Sequence, residues 1–284
     1  MQAQKCLELK IDGSAMDEPA FQRLAGSQQA LGTSLETDFD SGAETHVAWF
    51  ALTGDEQLQR AQLSAAALLS GAMSSQVQLK VLGDDWETAW QKNWHAMSVG
   101  KHLCVRPSFC KPLEGDYIDI VLDPGMAFGT GQHATTRLCL EAIERVCDEA
   151  VPASMLDMGA GSGLLAIAAG KLGAKGIVAV DNDPISVEAS RVNAKINGVE
   201  LESVLSDTPP ERTFDLVVAN ILAGPLIEMA PKLAKCVGRH LVLSGLLCEQ
   251  VEPVSQAYAD AGMQVLRSDS QQEWASVELT PLKR

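Results

Sequence analysis

The first eighty residues alternate between apolar and polar positions in the manner of a small sheet covered by helices. Near the start, Leu7, Leu9 and Ile11 are separated by charged residues, and this period of two predicts a strand with one buried face. The later predicted elements are a helix from Asp17 to Leu31, strands from Leu35 to Phe39 and Val47 to Leu52, a second helix, and a strand at Val77, Leu79 and Val81. Thr53 and Glu56 have the spacing of a capping box at the start of the second helix. The order β-α-β-β-α-β predicts a ferredoxin-like α+β domain.

From Met155 onward, apolar strands alternate with helical segments. Such alternation predicts a parallel sheet with helices on both faces. The linker between the last two strands, Ser268 to Glu273, is too short for a helical crossover, so the final strand is predicted to be antiparallel. The predicted strands are Met155 to Met158, Ile177 to Val180, Leu201 to Leu205, Leu216 to Ala219, His240 to Leu247, Met263 to Arg267 and Trp274 to Leu279. Seven strands with a reversed last one resemble the Rossmann-like class I methyltransferase fold.

Three tryptophans separate these two regions. Trp86, Trp90 and Trp94 recur every four residues and would form one aromatic stripe on a helix, which favours an interdomain linker helix. A platform for stacking nucleic-acid bases would need interleaved basic residues, and only Lys92 is close. The predicted organisation is a ferredoxin-like domain over residues 1–83, a linker helix over 84–100 and a second domain over 101–284.

Composition restricts the possible partners and location of the protein. The chain has 284 residues, of which 46% are apolar, and a formal net charge of -15. This charge argues against direct binding to nucleic acid and suits a basic protein partner, although acidic faces also serve solubility alone. The seven cysteines include no C-x-x-C pair, which favours buried thiols in a reducing compartment over disulfides or a zinc ribbon. Neither a signal peptide nor a membrane segment is recognisable, so a cytoplasmic protein is expected.

A glycine-rich turn follows the first strand of the second predicted domain. Gly159, Gly161 and Gly163 lie between a strand and a helix, where ligands of doubly wound folds bind and where glycine permits close approach to the backbone. Together with Ala166, the last two glycines also satisfy the dinucleotide pattern G-x-G-x-x-A. The turn therefore predicts an adenosine cofactor but leaves nicotinamide and flavin cofactors open.

Two aspartates bear on the cofactor, and the first of them narrows the choice. Asp157, directly before the turn, would repel a pyrophosphate and could attract an ammonium group, either directly or through water. Asp181 ends the next strand, where its carboxylate can accept ribose hydroxyls of either kind of cofactor. A helix cap is the alternative for Asp181, but Asp183 before Pro184 fits that role better.

Two other segments contain candidate chemistry. Asn220 follows the fourth strand of the second domain, and it could face a reacting group or simply cap the next helix. The segment 123–136 has three glycines that favour a mobile loop, but it lacks the G-K-[ST] ending of a Walker A site. His133 within this segment has no partners at metal-ligand spacing, so an ordinary hydrogen-bonding histidine is expected and no metal site is predicted.

The three segments together closely resemble the ribosomal protein L11 methyltransferase (PrmA) family. The resemblance lies in D-P-G-x-A-F-G-T-G-x-H-x-T-T at Asp123–Thr136, D-x-G-x-G-S-G at Asp157–Gly163 and V-V-A-N-I-L-A-G-P-L at Val217–Leu226. It covers the C-terminal two-thirds of the chain, and Gln132 and Ala134 stand where the family more usually has Thr and Pro. The resemblance implies an enzyme that uses S-adenosylmethionine to methylate lysine side chains and an α-amino group of a ribosomal protein.

The same resemblance assigns roles to individual residues. Asn220 would be the catalytic residue and would orient the acceptor amine, and the carbonyl of Ile221 or Leu222 could assist it. The substrate entrance would be formed by Phe128, Gly129 and Leu222. The predicted cofactor-binding residues are Thr136, Asp157, Gly159, Gly161, Gly163, Asp181 and Asn220.

Three other functions compete with this interpretation. A methyltransferase for lysines of another protein, such as electron-transfer flavoprotein, would have a similar catalytic domain and differ in the N-terminal region. A nicotinamide-dependent oxidoreductase is compatible with the glycine turn but not suggested by the other two motifs. A noncatalytic adaptor is disfavoured by the presence of both Asp181 and Asn220.

Overall fold

The computed structural model of the chain describes residues 6–37, 44–82, 95–123 and 133–282. The chain divides into two compact units, Met1–Asn93 and Trp94–Arg284. Residues 84–94 of the predicted linker helix, with all three tryptophans, lie outside the described residues.

The N-terminal unit is a four-stranded antiparallel sheet with two helices. The strands are β1 (Cys6–Asp12), β2 (Gly32–Thr37), β3 (Glu44–Ala51) and β4 (Val77–Leu82), and the helices are α1 (Glu18–Ser27) and α2 (Glu56–Leu69). The strand order is β2-β3-β1-β4. Leu7, Leu9 and Ile11 of β1 are buried and pack with Phe21 of α1 and Phe50 of β3. The predicted ferredoxin-like topology is therefore confirmed.

The helix ends of this unit differ from the sequence prediction. The N-cap of α2 is Asp55, whose carboxylate accepts hydrogen bonds from the backbone N–H groups of Gln57 and Leu58 at 2.8 and 3.1 Å. The predicted capping box of Thr53 and Glu56 is therefore wrong, because a carboxylate two residues further along satisfies the first turn. Helix α1 also ends at Ser27 rather than Leu31, since the chain leaves the helix through Gln29, which has a φ of 59°.

A three-stranded sheet that the sequence did not predict belongs to the C-terminal unit. Its strands are β5 (Met97–Val99), β6 (Leu103–Arg106) and β7 (Ile118–Val121), in that order. β5 lies within the range predicted as a linker helix, so the helical prediction is wrong there. The turn between β5 and β6 is held by the buried carboxylate of Glu144, which accepts N–H bonds of 2.7 Å from Lys101 and His102.

The large sheet has the order β10-β9-β8-β11-β12-β14-β13. Its strands are β8 (Met155–Met158), β9 (Ile177–Asp181), β10 (Leu201–Leu205), β11 (Phe214–Asn220), β12 (Val237–Leu247), β13 (Met263–Gln271) and β14 (Trp274–Pro281). The strands from β10 to β12 are parallel, and β14 is antiparallel to both β12 and β13. This is the predicted class I methyltransferase arrangement with a reversed last strand.

Helices cover both faces of the large sheet. They are α3 (Ala134–Glu149), α4 (Leu164–Lys171), α5 (Pro184–Asn197), α6 (Ala223–Leu233) and α7 (Val251–Asp260). Successive residues of β11 point to opposite faces, so Leu216 and Val218 join one apolar core while Val217 and Ala219 join the other. Arg145 of α3 forms an ion pair of 2.9 Å with Asp269 of β13. Among the helices that the structure describes, none is long and apolar enough to cross a membrane.

Candidate functional site

Three of the predicted site residues lie together at the carboxyl edge of the large sheet. Met158 of β8 is in register with Val180 of β9 on one side and with Ala219 of β11 on the other. The residues that follow these three are Gly159, Asp181 and Asn220, which therefore stand at the same level of adjacent parallel strands. The sheet thus assembles three motifs that are far apart in sequence, at the edge where open α/β sheets bind ligands.

The glycine turn is shaped by three left-handed residues. Gly159, Gly161 and Gly163 have φ angles of 75°, 53° and 79°. These lie in the left-handed region, which residues with a Cβ rarely adopt. A Cβ at Gly159 would also collide with the side chain of Ile221, and one at Gly163 would lie 2.8 Å from Cβ of Ser190. The turn therefore offers a surface of backbone atoms that a ligand can approach closely.

Asp157 is a fully buried carboxylate beneath this turn. Its Oδ2 accepts a hydrogen bond of 3.0 Å from the backbone N–H of Ala166, and its Oδ1 has no partner within the described part of the chain. Burial raises the pKa of Asp157 to about 7, and the negative charge of Asp181 adds to this effect while the bond from Ala166 opposes it. A buried carboxylate oxygen without a donor is unfavourable unless a ligand or water supplies one.

Asp181 bonds to the glycine turn with one carboxylate oxygen and to the residue before α5 with the other. Oδ2 accepts from the N–H of Gly161 at 2.8 Å, and Oδ1 accepts from the N–H of Asp183 at 3.0 Å. Asp183, as predicted, is the N-cap of α5, with its own carboxylate bonded to the N–H of Ile185 at 2.9 Å. Asp181 is thus not a helix cap, and because a carboxylate oxygen has two lone pairs it retains capacity to accept hydroxyl groups.

Asn220 is joined to Thr136 rather than to the following helix. Its Nδ2 donates to Oγ1 of Thr136, which is buried in the first turn of α3, at 3.4 Å. The N-cap of α6 is Leu222, so the alternative role of Asn220 as a helix cap does not apply. Among the described residues, none donates to Oδ1 of Asn220. The Asn220 amide is thus anchored through Nδ2, and its Oδ1 can accept a hydrogen bond from the amine of a substrate.

His133 caps helix α3. Its Nδ1 lies 2.7 Å from Oγ1 of Thr135, and its ring packs edge-on against Trp274 with 4.6 Å between the centroids. Burial lowers the pKa of His133, although nearby Glu273 acts in the opposite direction. In the part of the chain that the structure describes, no three potential metal ligands are grouped. His133 therefore acts here as a hydrogen-bonding and packing residue.

Gly245 packs against the segment that follows Asn220, a contact that the sequence did not predict. It has a φ of 83° within β12, and a Cβ there would collide with the backbone oxygen of Ile221. Its neighbour Ser244 is in register with Asn220. An isolated glycine in a predicted strand indicates a bulge or a close approach of backbone, so a signal was present in the segment from His240 to Leu247.

The predicted substrate entrance is only partly described. Phe128 and Gly129 lie outside the described residues. Leu222 directly follows the Asn220 turn, and 71% of its surface is exposed. Its position beside Asn220 is compatible with the predicted role, which remains a prediction.

Comparison with known proteins identifies the family. Residues 11–281 match the family model described as ribosomal protein L11 methyltransferase (PrmA). The chain belongs to the PrmA family. The match confirms the resemblance seen in the three motifs and extends it across the ferredoxin-like unit, where the motifs gave no residue-by-residue correspondence.

Individual PrmA relatives are similar over most of their length. A ribosomal protein L11 methyltransferase of Vibrio campbellii is 39% identical over 269 residues, which cover 93% of this chain and 86% of the relative. That of Pseudomonas aeruginosa is 44% identical over 251 residues, covering 86% and 80%. A solved structure of a ribosomal protein L11 methylase from Lactobacillus delbrueckii subsp. bulgaricus has 33% sequence identity and a TM-score of 0.61, and it covers 67% of this chain and all of its own.

The predicted cofactor of this PrmA family member is S-adenosylmethionine. The residues at the sheet edge fit this molecule. Asp157 has a buried oxygen without a donor in the described residues, which suits the ammonium of a methionine moiety. The three glycines of the turn have no side chains to obstruct a ligand, and Asp181 keeps lone pairs that suit ribose hydroxyls.

Proposed function

We propose that this protein methylates amino groups of ribosomal protein L11, on lysine side chains and on the N-terminal α-amine. Membership of the PrmA family and identities of 39% and 44% to ribosomal protein L11 methyltransferases support this substrate. The single observation that carries the chemistry is Asn220, which stands beside the cofactor edge with its Nδ2 bonded to Thr136 and its Oδ1 left for an acceptor amine.

Each residue of the site has a defined part in this reaction. The ammonium of the cofactor would be held by Asp157 and its ribose hydroxyls by Asp181, against the backbone of the glycine turn. S-adenosylmethionine supplies an electrophilic methyl group on a sulfonium, and S-adenosylhomocysteine is the leaving group when an amine lone pair attacks. The protein must therefore hold the amine in line with that methyl and exclude water.

The acceptor amine must be neutral when it attacks. For lysine, with an unperturbed pKa of ~10.4, deprotonation at pH 7 requires roughly 4 to 5 kcal/mol if the solvent supplies all of it. Entry into a partly desolvated pocket reduces this requirement because burial disfavours the ammonium. Oδ1 of Asn220 then accepts an N–H from the neutral amine and directs its lone pair. Since one remaining N–H is enough for this bond, the same amide can orient both the unmethylated and the monomethylated amine.

Recognition of the protein substrate is assigned to the ferredoxin-like unit. A folded substrate needs an interface of about 1,200 to 2,000 Å² in total, which a pocket for one side chain does not supply. The formal charge of -15 on the whole chain favours a basic partner such as a ribosomal protein over the phosphates of RNA. The reaction would take place in the cytoplasm, where ribosomal proteins are made and assembled.

The proposal is tested by incubating the protein with S-adenosylmethionine and ribosomal protein L11 that carries no methyl groups. Intact mass spectrometry should show successive additions of methyl groups, and peptide analysis should place them on lysines and the N-terminal amine. Electron-transfer flavoprotein in a parallel reaction serves as the control substrate. Methylation of the flavoprotein with L11 unchanged would contradict the proposed substrate, and binding of NAD in preference to S-adenosylmethionine would contradict the chemistry.

A further inference from the structure

Helix α5 is bonded to the glycine turn through an asparagine near its C-terminal end. Nδ2 of Asn193 donates to the backbone oxygen of Ser162 at 2.9 Å. One turn earlier, Ser190 packs so closely on Gly163 that even a methyl group there would be crowded at 2.8 Å. Asn193 thus fixes the orientation of a peptide group within the turn that receives the cofactor.

A second asparagine bonds the same helix to the end of β7. Oδ1 of Asn197 accepts from the N–H of Val121 at 2.8 Å, and its Nδ2 donates to the oxygen of Val121 at 2.7 Å. The side chain thereby imitates a neighbouring strand. Asn197 is only 7% exposed, so both bonds are shielded from water. Two residues after Val121 comes Asp123, the start of the motif that ends at Thr136, the partner of Asn220.

The two asparagines are also connected to each other. Nδ2 of Asn197 donates to the backbone oxygen of Asn193 at 2.9 Å, one helical turn away. Asparagine is a poorer helix former than alanine, lysine or glutamine, since its amide competes for backbone hydrogen bonds. Two asparagines on one side of a single helix therefore need a reason beyond helix formation. Their partners in other elements lie within the glycine turn and just before the motif that starts at Asp123.

We propose that Asn193 and Asn197 are positioning residues for methyl transfer. Both lie on one helix, and each holds in place one of the two segments that flank the site. Asn193 holds the glycine turn in the shape that binds the cofactor. Asn197 holds the end of β7, two residues before the start of the motif that ends at Thr136, the partner of Asn220. The two side chains therefore serve different steps: Asn193 governs cofactor affinity, and Asn197 governs turnover. The part assigned to Asn197 rests on the proposed function, because turnover reports it.

The first test measures S-adenosylmethionine binding by calorimetry for the full-length wild type, Asn193→Ala and Lys195→Ala. Lys195 is exposed on the same helix between the two asparagines and serves as the matched control. Loss of a hydrogen bond in a partly buried site should weaken cofactor binding of Asn193→Ala by about tenfold, while Lys195→Ala keeps the wild-type affinity. Asn193→Gln, which retains an amide donor, should recover part of the affinity. Wild-type affinity in Asn193→Ala would overturn the role of Asn193.

The second test compares kcat and cofactor affinity for Asn197→Ala, with the protein that the wild-type enzyme methylates. At saturating cofactor, kcat should fall by at least about tenfold while the dissociation constant of the cofactor changes little. Retained cofactor binding shows that the variant is folded. If Asn197→Ala does not fold, Asn197→Asp keeps the acceptor for Val121 N–H and should show the same selective loss of kcat. Equal losses of affinity and kcat in the Asn197 variants would indicate a merely structural residue and overturn the proposal.

Failure of this inference is distinguishable from failure of the proposed function. If the wild type binds the cofactor but leaves ribosomal protein L11 unmodified, the proposed substrate is wrong. The calorimetric comparison of Asn193→Ala with Lys195→Ala still decides the role of Asn193 in that case, since it needs no protein substrate.

Discussion

Asn220 and Thr136, separated by 84 positions in sequence, are joined by a hydrogen bond from the amide Nδ2 to the hydroxyl Oγ1. This contact fixes which end of the Asn220 amide faces away from α3. Because the amino end is committed to Thr136, the carbonyl end is the one available to a substrate. The first turn of α3 thus determines which end of the Asn220 amide is available to a substrate.

Replacing Asn220 by alanine should lower kcat on the order of a hundredfold with a smaller change in cofactor affinity, because the acceptor amine loses its orienting group. Steady-state kinetics and calorimetry on the same samples give the two numbers. Thr136→Val is the companion variant: it removes the anchor of the amide but not the amide itself, so its kcat should fall less. Equal losses of affinity and kcat in Asn220→Ala would indicate a role in cofactor binding alone.

Asp181→Ala should abolish measurable binding of S-adenosylmethionine. The substitution removes an acceptor from the ribose, at about 1.5 to 3 kcal/mol for each charge-assisted hydrogen bond, and frees the N–H of Gly161. Asp183→Ala is the control, since it removes the cap of α5 and should lower the unfolding free energy by about 1 kcal/mol with the cofactor affinity little changed. An unchanged calorimetric affinity in Asp181→Ala would refute the ribose assignment.

The affinity for S-adenosylmethionine should fall as the pH is lowered from 8 to 6. The pKa of Asp157 is raised to about 7 in the free protein, chiefly by burial, and a cationic ammonium binds only the ionised carboxylate well. Protonation below about pH 7 therefore competes with binding. Calorimetry across this range should show the decline in the wild type, and Asp157→Asn should bind weakly at every pH. A flat profile for the wild type would contradict this role of Asp157.

The same raised pKa has a consequence for the stability of the free protein. The folded protein holds this proton more tightly than the unfolded chain, in which the carboxyl has its ordinary pKa of 3.8. The contribution of Asp157 to stability is therefore present below about pH 3.8 and is lost as the pH rises toward 7, the reverse of a salt-bridged aspartate. Saturating cofactor, by satisfying the ionised form, should offset this loss in denaturation experiments.

Gly245→Ala should be both destabilising and damaging to turnover. Its left-handed φ costs about 1 to 2 kcal/mol for a residue with a Cβ, and the collision with the backbone of Ile221 adds to that. Gly262 provides a matched control, because it has a φ of 89° but open space where the methyl group of an alanine would lie. Chemical denaturation should give a larger loss for Gly245→Ala than for Gly262→Ala, and kcat should fall only in the former. Equal effects of the two substitutions would show that the approach to Ile221 is unimportant.

Removal of residues 1–94 should separate cofactor binding from protein methylation. The remaining chain keeps β5, which begins at Met97 and belongs to the small sheet of the C-terminal unit. Calorimetry should therefore still detect S-adenosylmethionine binding, while methylation of ribosomal protein L11 should collapse. Methylation at the full-length rate would show that the ferredoxin-like unit is not the recognition module.

The sequence predicts those parts of the site that depend on residues close together in the chain. A strand, three glycines and a helix in succession predict a ligand-binding turn, and Asp183 before Pro184 predicts a cap. Where several candidate groups compete for one hydrogen bond, the sequence does not show which of them is bonded in the folded chain. Asp55 competes with Thr53 for the same cap position, and only the observed hydrogen bonds decide between them.

Distant packing explains the two features that were missed. Gly245 is constrained by its left-handed φ and by the close approach of the Ile221 backbone. The sheet of β5, β6 and β7 consists of short strands of three and four residues, too short for a clear alternation. The turn between its first two strands depends on Glu144, over forty residues further along.

Helix α3 contacts three separate parts of the C-terminal unit from fixed positions along its length. Thr136 in its first turn meets Asn220, Glu144 holds the β5–β6 turn, and Arg145 pairs with Asp269. An α-helix rotates by about 100° per residue, so inserting or deleting one residue between Thr136 and Glu144 would turn one contact away from its partner. The length of this helix between these positions is therefore fixed by what it connects.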